Sequence, residues 1–253
     1  MYRVAGPKDA PVLVFGNALA TGMALWDEQV AALRKDFRIF TFDYPSHGSP
    51  AWLGATLLKG FAGKVAGLLD ALEIGDYSYC GMSMGGAIGM ELAEMHAGRM
   101  QKLILSNTAS EFGAADFWNR RIATAHENGM TALWESSLQR FFTAAFAEAN
   151  PAVVGFSREL FMATEADGYI ACCAAVRDFR FSDARLTALQ LPTLVIAGSY
   201  DAATPPVQAK HLAGAIPHAR YCELPVAHMG NLGASEEFTA VLGAFLREAG
   251  ANA

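Results

Sequence analysis

Short runs of apolar residues, many of them β-branched or aromatic, recur along the chain and end in small or turn-forming residues. Runs of this length and composition predict buried β-strands. Between them lie stretches whose apolar residues follow a helical spacing, so strands and helices alternate. This alternation predicts an α/β fold with a mostly parallel central sheet flanked by helices. The predicted strands begin at Pro11, Arg38, Tyr77, Leu191 and Ala219.

The alternation is interrupted after about Asn107. Apolar residues then recur at helical spacing up to about Arg185, and the alternation of strands and helices resumes at Leu191. We therefore expect a core formed by residues 1–109 and 186–253, with residues 110–185 inserted as a helical cap over the edge of the sheet. In the alternative interpretation, this helical block is simply part of the core.

Residues 81–85 read Gly-Met-Ser-Met-Gly and join the strand that begins at Tyr77 to the following helix. A Gly-x-Ser-x-Gly segment in this context predicts a nucleophile elbow, a turn so tight that Ser83 is held at its tip in a strained conformation. The first amides of the helix then point to where negative charge would develop on a substrate. Because a chain with 24 glycines can also contain this pattern by chance, the prediction requires an acid and a base later in the chain.

An acid and a histidine do come after the serine, each placed behind a predicted strand. Asp201 comes shortly after the run that begins at Leu191, and His228 comes after the run that begins at Ala219. The chain order of serine, acid and histidine is typical of a triad in which the carboxylate orients the imidazole. Taken alone, Asp201 could instead be an ordinary turn residue. The other histidines, none of which comes after both the serine and the acid at a strand end, are His47, His96, His126, His211 and His218.

Nucleophilic catalysis explains why these residue types would occur together. A serine hydroxyl is a poor nucleophile near neutral pH, so an imidazole must accept its proton during attack and return it to the leaving group. The tetrahedral intermediate also needs two preorganised donors for its oxyanion. We expect the backbone amides of Met84, directly after the serine, and Leu19, in the loop after the first predicted core strand, to supply them.

Several segments resemble those of α/β-hydrolases, and within that superfamily the chain resembles the 3-oxoadipate enol-lactonases. The resemblance extends over most of the chain and implies an α/β-hydrolase fold. It also implies hydrolysis of a small lactone or carboxylic ester through an acyl-enzyme intermediate, without a cofactor or metal. The similar segments are Asn17 to Thr21, Leu25 to Asp27, Gly81 to Gly86, Ser106 to Ala109, Gly168 to Ala175 and Ala197 to Pro205.

One loop departs from the family pattern. Where the family usually has Asp-x-Arg-Gly-His-Gly, residues 43–48 read Asp-Tyr-Pro-Ser-His-Gly, so the arginine is missing. The departure leaves the predicted hydrolytic residues intact and concerns the choice of substrate.

Two further functions remain compatible with the sequence. The same triad could act on another bond, as in carbon–carbon hydrolysis or peracid formation, because the shape of the pocket decides between such reactions. A ligand-binding protein could also keep the fold without turnover.

The predicted cap has an unusual set of basic residues, with arginine but no lysine. Arginine suits two-point capture of a carboxylate, which a carboxylated lactone would require. Because ten acidic residues share the segment, most of these arginines are expected to be solvated or paired. Arg120 and Arg121, close to Trp118, are the leading candidates for substrate binding, and Trp134 is a candidate for the pocket wall. The arginines are Arg120, Arg121, Arg140, Arg158, Arg177, Arg180 and Arg185.

Composition agrees with an enzyme that acts on a small molecule. With 253 residues, of which 53% are hydrophobic, the chain can bury a substantial core. A net charge of −6 and the lack of a basic run argue against nucleic acid as a partner. The sequence contains no apolar stretch of about 20 residues and no signal-peptide pattern, so we expect a cytoplasmic protein without a membrane partner. The sequence does not indicate an oligomeric state.

Overall fold

The computed structural model of the chain describes residues 1–44 and 57–248. Its strands form a single seven-stranded sheet, and the predicted core strands lie close to their expected positions. The strands are β1 (Tyr2–Ala5), β2 (Val12–Gly16), β3 (Arg38–Phe42), β4 (Tyr77–Met82), β5 (Met100–Ser106), β6 (Thr193–Gly198) and β7 (Arg220–Leu224).

The strand order is β1-β3-β2-β4-β5-β6-β7. Among the described strands, only the short β1 runs antiparallel to its neighbour, so the prediction of a mostly parallel sheet is confirmed. Strands β4 to β7 lie side by side in chain order. Their carboxyl ends therefore meet along one edge of the sheet, which is where ligands bind in open α/β sheets.

Helices connect these strands and cover the sheet. Helix α3 packs on β2, β4 and β5, α10 packs on β6 and β7, and α1 packs against α12. Within the described ranges the α-helices are α1 (Asp27–Leu33), α2 (Leu58–Ala71), α3 (Met84–Met95), α4 (Ala115–Asn128), α5 (Trp134–Phe141), α6 (Ala144–Ala149), α7 (Pro151–Met162), α8 (Ala166–Arg177), α9 (Asp183–Thr187), α10 (Pro206–Ala215), α11 (Gly230–Gly233) and α12 (Ser235–Arg247).

Aromatic side chains join the sheet to the residue directly before α1 and to the last helix. The rings of Phe15, on β2, and Trp26 are stacked with centroids 4.4 Å apart, and Trp26 lies 6.2 Å from Phe238 of α12. All three side chains are fully buried. Burial of aromatic groups of this size is among the largest favourable contributions that individual residues make to folding.

The helical block between β5 and β6 contains α4 to α9. Its two ends lie together, because Glu111 and Arg180 form an antiparallel bridge and the Phe181 amide donates to the Ser110 carbonyl at 2.9 Å. The chain therefore leaves the sheet and returns to it at nearly the same place, as expected for an insertion. The division into a core and a cap at residues 110 and 185 stays a prediction.

Candidate active site

The turn after β4 has the geometry of a nucleophile elbow. Ser83 adopts φ 54° and ψ −117°, a region that residues with a side chain rarely occupy. The backbone around it is firmly held, since the Ser83 amide donates to the Ser106 carbonyl at 2.9 Å and the Ser83 carbonyl accepts from the Thr108 hydroxyl at 2.7 Å. Strain maintained by surrounding bonds is typical of functional positions.

Two glycines are required because backbones approach each other closely in this turn. A Cβ at Gly81 would lie 2.2 Å from the Gly85 carbonyl oxygen, and a Cβ at Gly85 would lie 2.3 Å from the Gly16 carbonyl oxygen. The elbow therefore packs directly on the end of β2, and the loop after β2 contains the predicted oxyanion donor.

Replacing Gly85 by alanine is expected to lower the free energy of unfolding by about 3 kcal/mol, because a backbone carbonyl cannot move aside as a side chain can. Gly155→Ala is the matched control, since Gly155 is exposed on α7 with no atom within 4 Å of its added Cβ. That change should raise the free energy of unfolding by up to about 1 kcal/mol. Urea denaturation measures both effects, and equal stability of the two variants would contradict the close approach.

The predicted acid and base lie in direct contact. Asp201 follows β6, His228 follows β7, and His228 Nδ1 is 2.8 Å from Asp201 Oδ2. Both side chains are buried, as is Ser83, which is only 8% exposed. His228 and Ser83 line the same cavity. The fold thus brings together three residues that are distant in the sequence.

Asp201 is held as a carboxylate by its surroundings. Its Oδ1 accepts from the amides of Ala203 and Thr204 at 2.7 and 2.9 Å, and its Oδ2 accepts from the Thr204 hydroxyl at 2.7 Å. Burial alone raises the pKa of Asp201, but the charge and hydrogen bond of His228 and the bonds from Thr204 outweigh burial and bring the pKa well below its ordinary value. An ionised carboxylate can fix the tautomer of the imidazole.

Asn107 is a site residue that was given no role on the basis of the sequence. It directly follows β5 with φ 45°, and its Nδ2 donates to Asp201 Oδ2 at 3.1 Å and to the Ala227 carbonyl at 3.3 Å. Its Oδ1 accepts from the Ser106 hydroxyl at 2.8 Å. One buried amide therefore joins β5 to Asp201 and to the loop that carries His228.

Helix α5 holds the loop of the base from the other side. The amides of His228 and Met229 donate to the carbonyls of Arg140 and Phe141, at 3.2 and 3.0 Å. These carbonyls belong to the last two residues of α5, where a helix leaves its carbonyl groups without intrahelical partners. The loop thus caps α5, and α5 in turn holds His228, the predicted base, in position.

The loop after β2 is also anchored by a buried amide. The Asn17 side chain donates to the Phe42 carbonyl at 2.6 Å and accepts from the Trp26 indole at 3.1 Å. Leu19, in this loop, lines the cavity with Ser83, and the next residue, Ala20, has φ 59°. The Met84 amide is the first of α3, so it has no intrahelical partner. Both predicted donors are therefore placed around the elbow, and their role stays a proposal.

The cavity above the elbow has an empty volume of about 510 Å³, part of which is open to solvent. Its walls are mostly apolar, with a few polar groups beside the serine and the histidine, as in many small-molecule sites. Half of the lining residues belong to helices α4, α5, α7 and α8 of the block between β5 and β6. The cavity is lined by Ala18, Leu19, Ala20, Ser83, Phe112, Phe117, Trp118, Arg121, Ser137, Arg140, Phe141, Phe161, Tyr169, Ala203, Thr204 and His228.

The three predicted substrate-binding residues have different positions. Arg121 lines the cavity, whereas Arg120 is exposed and lies outside the lining. Trp134 is buried and does not line the cavity either. Its ring packs against the rings of Phe141 and Phe161, with ring centroids 6.4 and 5.6 Å apart. The structure therefore brings Arg121 to the cavity, but not Arg120 or Trp134. Trp134 supports the wall from behind.

In the loop that lacks the family arginine, the part from residue 45 onward, including His47, lies outside the described residues. In the part of the chain that the structure describes, no group of three or more His, Cys, Asp or Glu side chains could hold a metal ion. None of the described helices combines the length and apolar character needed to cross a membrane.

Comparison with known proteins agrees with the fold. Residues 11–233 match the family model described as alpha/beta hydrolase fold. The chain is 30% identical to 3-oxoadipate enol-lactonase 1 of Acinetobacter baylyi, with 97% of this chain and 92% of that protein covered. A second enol-lactonase of the same organism is also 30% identical, with the same coverage.

Two crystal structures are similar over nearly their whole length. The enol-lactonase from Burkholderia xenovorans LB400 has a TM-score of 0.95 and 37% identity, with 98% of this chain and 96% of that chain covered. A hydrolase from Pseudomonas aeruginosa PA01 has a TM-score of 0.93 and 34% identity, with 98% and 94% covered. This chain therefore belongs to the alpha/beta hydrolase fold family, in which it is an ester or lactone hydrolase similar to the 3-oxoadipate enol-lactonases.

Proposed function

We propose that this chain hydrolyses a small lactone or carboxylic ester through an acyl-enzyme intermediate on Ser83. In this proposal His228 is the general base and acid, and Asp201 orients its imidazole. The amides of Leu19 and Met84 bind the oxyanion. Residues 110–185 act as a helical cap that forms the far wall of the cavity.

One observation carries the proposal. A buried histidine that contacts a buried carboxylate at 2.8 Å lines the same cavity as a serine held at φ 54°. Packing of an ordinary core does not require that a strained serine and a histidine bonded to a buried carboxylate face one cavity. A carboxylate, an imidazole and a serine at a strained elbow are, by contrast, the groups that a serine nucleophile needs for its activation.

The first half of the proposed reaction forms the acyl-enzyme. Ser83 Oγ attacks the carbonyl carbon while His228 Nε2 accepts its proton, and the carbonyl oxygen becomes an oxyanion held by the two amides. The intermediate then collapses, the bond to the ester oxygen breaks, and the imidazolium of His228 protonates that oxygen. With a lactone, the leaving oxygen remains attached to the acyl chain.

The second half releases the product. A water molecule gives a proton to His228 and attacks the acyl carbon, and a second tetrahedral intermediate uses the same oxyanion donors. Its collapse expels Ser83 Oγ, which regains the proton from His228. The net reaction adds one water molecule and creates one carboxylic acid, which ionises near neutral pH.

The acyl-enzyme can be tested directly. Brief reaction with p-nitrophenyl acetate, followed by acid quenching and peptide mass spectrometry, should find one acetyl group on the peptide that contains Ser83. The same treatment of a His228→Ala variant should leave that peptide unmodified, because the hydroxyl then lacks its base. Turnover of the ester without any adduct under rapid quenching would exclude covalent catalysis on Ser83.

Similarity to enol-lactonases and the position of Arg121 support a substrate that carries a carboxylate. A carboxylated enol-lactone is expected to be hydrolysed with a kcat/KM at least about tenfold above that of its neutral methyl ester. Loss of a charge-assisted contact costs about 2–3 kcal/mol. Arg121→Ala should therefore narrow the gap between the two kcat/KM values, chiefly by raising KM for the carboxylated lactone. Arg120→Ala, one residue away but outside the cavity, is the matched control and should leave the gap unchanged. Equal kcat/KM values for the carboxylated lactone and its methyl ester would contradict carboxylate binding and would indicate an esterase with an apolar pocket.

A further inference from the structure

Tyr79 is a buried polar residue to which the proposed reaction gives no role. It is the third residue of β4, the strand that leads into the nucleophile elbow, and its side chain is fully buried. Its hydroxyl donates to the Gly85 carbonyl at 3.0 Å. A phenylalanine would bury the same ring without the cost of taking a hydroxyl out of water, so packing of the core alone does not explain the hydroxyl.

The hydroxyl lies between the two segments that contain the proposed oxyanion donors. A Cβ at Gly16, the last residue of β2, would lie 1.9 Å from the Tyr79 hydroxyl oxygen, so this hydroxyl occupies the space that a side chain at residue 16 would need. On its other side the hydroxyl contacts Gly85, directly after Met84. Leu19 lies three residues beyond Gly16. One hydroxyl therefore separates the loop of one donor from the helix of the other.

The bond to Gly85 is not needed to complete helix α3. A carbonyl in the first turn of an α-helix accepts from the amide four residues later, so the Gly85 carbonyl has a partner within the helix. The Tyr79 ring also packs on this helix, because a Cβ at Gly89 would lie 2.7 Å from a ring carbon. The tyrosine hydroxyl is thus an additional contact that holds the start of α3 beside the elbow.

A second buried tyrosine lies next to the first. Tyr44, two residues after β3, is fully buried, and its hydroxyl oxygen would lie 3.3 Å from a Cβ at Gly16. Burial raises the pKa of Tyr44, and interactions with the Tyr79 side chain and the Asn17 amide oppose this rise. Burial also raises the pKa of Tyr79 well above its ordinary value, so the hydroxyl of Tyr79 stays protonated and remains a donor. The two side chains together support the loop after β2 from below.

We propose that Tyr79 is a positioning residue for the hydrolysis, because its hydroxyl fixes the distance between the loop after β2 and the start of α3. The inference rests on the proposed function, in which the amides of Leu19 and Met84 bind the oxyanion. Loss of one such donor lowers kcat by about 10²–10³-fold. Loss of the Tyr79 hydroxyl removes neither amide but lets their segments shift relative to each other. Tyr79 therefore acts on the transition state more than on the bound substrate.

Two ketones of the same length separate oxyanion binding from ordinary binding. Trifluoromethyl butyl ketone takes up the Ser83 hydroxyl at its carbonyl carbon, and its carbonyl oxygen becomes an oxyanion, whereas methyl butyl ketone binds mainly without reaction. Both are measured as inhibitors of p-nitrophenyl acetate hydrolysis. Tyr79→Phe should raise the inhibition constant of the trifluoromethyl ketone at least about tenfold and lower kcat by a similar factor. The inhibition constant of the methyl ketone should change less than about twofold.

Tyr77→Phe is the matched control. Tyr77 is buried on the same strand, and its hydroxyl lies 2.9 Å from His96 Nδ1, at the opposite end of α3 from the elbow and outside the cavity lining. Its replacement also removes a buried hydroxyl but should leave kcat and both inhibition constants within about twofold of their original values. Losses of equal size in the two variants would overturn the positioning role, because loss of any buried hydroxyl on β4 would then suffice.

The possible outcomes separate the role of Tyr79 from the proposed function. If kcat and the inhibition constant of the trifluoromethyl ketone stay unchanged in a folded Tyr79→Phe chain, the positioning role is overturned and the proposed function stands. Equal weakening of both ketones would also overturn it. Should Tyr79→Phe not fold, Tyr44→Phe tests the same contact and should weaken only the trifluoromethyl ketone, by at least about threefold. If the unsubstituted chain binds this ketone no more tightly than a Ser83→Ala chain does, the proposed function itself fails.

Discussion

Replacing Ser83 by alanine is expected to lower kcat by about five to six orders of magnitude, because the proposed acyl-enzyme cannot form without the Ser83 hydroxyl and only stabilisation by the proposed oxyanion donors would remain. The fold should persist, since the backbone bonds of Ser83 to Ser106 and Thr108 do not involve its hydroxyl. Single-turnover product formation measures the loss, and circular dichroism checks the fold.

Ser199→Ala is the matched control for this experiment. Ser199 follows β6, and its hydroxyl donates to the Glu223 carboxylate and the Leu224 carbonyl, away from the cavity. Its replacement should leave kcat within about twofold of the original value. A Ser83→Ala variant that keeps more than about a tenth of the activity would refute the assigned nucleophile.

Asp201→Asn is also expected to have a large effect, a loss of about 10⁴-fold in kcat. A side-chain amide at this position stabilises the wrong tautomer of His228. It also cannot balance the positive charge of the imidazolium that forms during attack. His228→Ala should be nearly as damaging as loss of the serine. Steady-state kinetics on one ester substrate compares the three variants.

Asp183→Asn is the matched control for the acid. Asp183 also contacts a histidine, with its Oδ1 2.9 Å from His211 Nε2, but both side chains are exposed and lie outside the cavity lining. Its replacement should leave kcat unchanged. If Asp201→Asn were equally harmless, the acid would have to be reassigned.

The pH dependence distinguishes the acid from the base. Because its surroundings lower the pKa of Asp201, its carboxylate stays ionised as the pH falls through the weakly acidic range, and it adds nothing to the loss of activity there. Any decrease in activity over this range would therefore come from a group other than Asp201. Persistence of such a decrease in the residual activity of a His228→Ala variant would contradict the assignment.

The sheet and the elbow could be anticipated from the sequence because their signals are local. Apolar runs of strand length predicted the core strands, and the glycines around Ser83 predicted a close backbone approach that the fold contains. Asp201 and His228 could be proposed because parallel strands end at one edge of a sheet, so chain order alone brings their loops together.

The cavity walls could be anticipated only in part, since they depend on how helices face one another. Arg120 and Arg121 are adjacent, but neighbouring residues on a helix point about 100° apart, so only one faces inward. A helical projection would have selected Arg121, which is three and four residues from the apolar Trp118 and Phe117. Arg140 and Asn107 carry no comparable local signal, because their contacts form between elements that are distant in the chain.

Helix α5 has a consequence for engineering this enzyme. The carbonyls at its end hold the amides of His228 and Met229, so exchange of the helical block with that of a relative would also replace the support of the base. A chimera intended only to change substrate choice would thus alter proton transfer as well. Grafts should therefore retain α5 through Phe141. If α5 is exchanged, residues 226–229 should be exchanged with it, because the two segments are coupled.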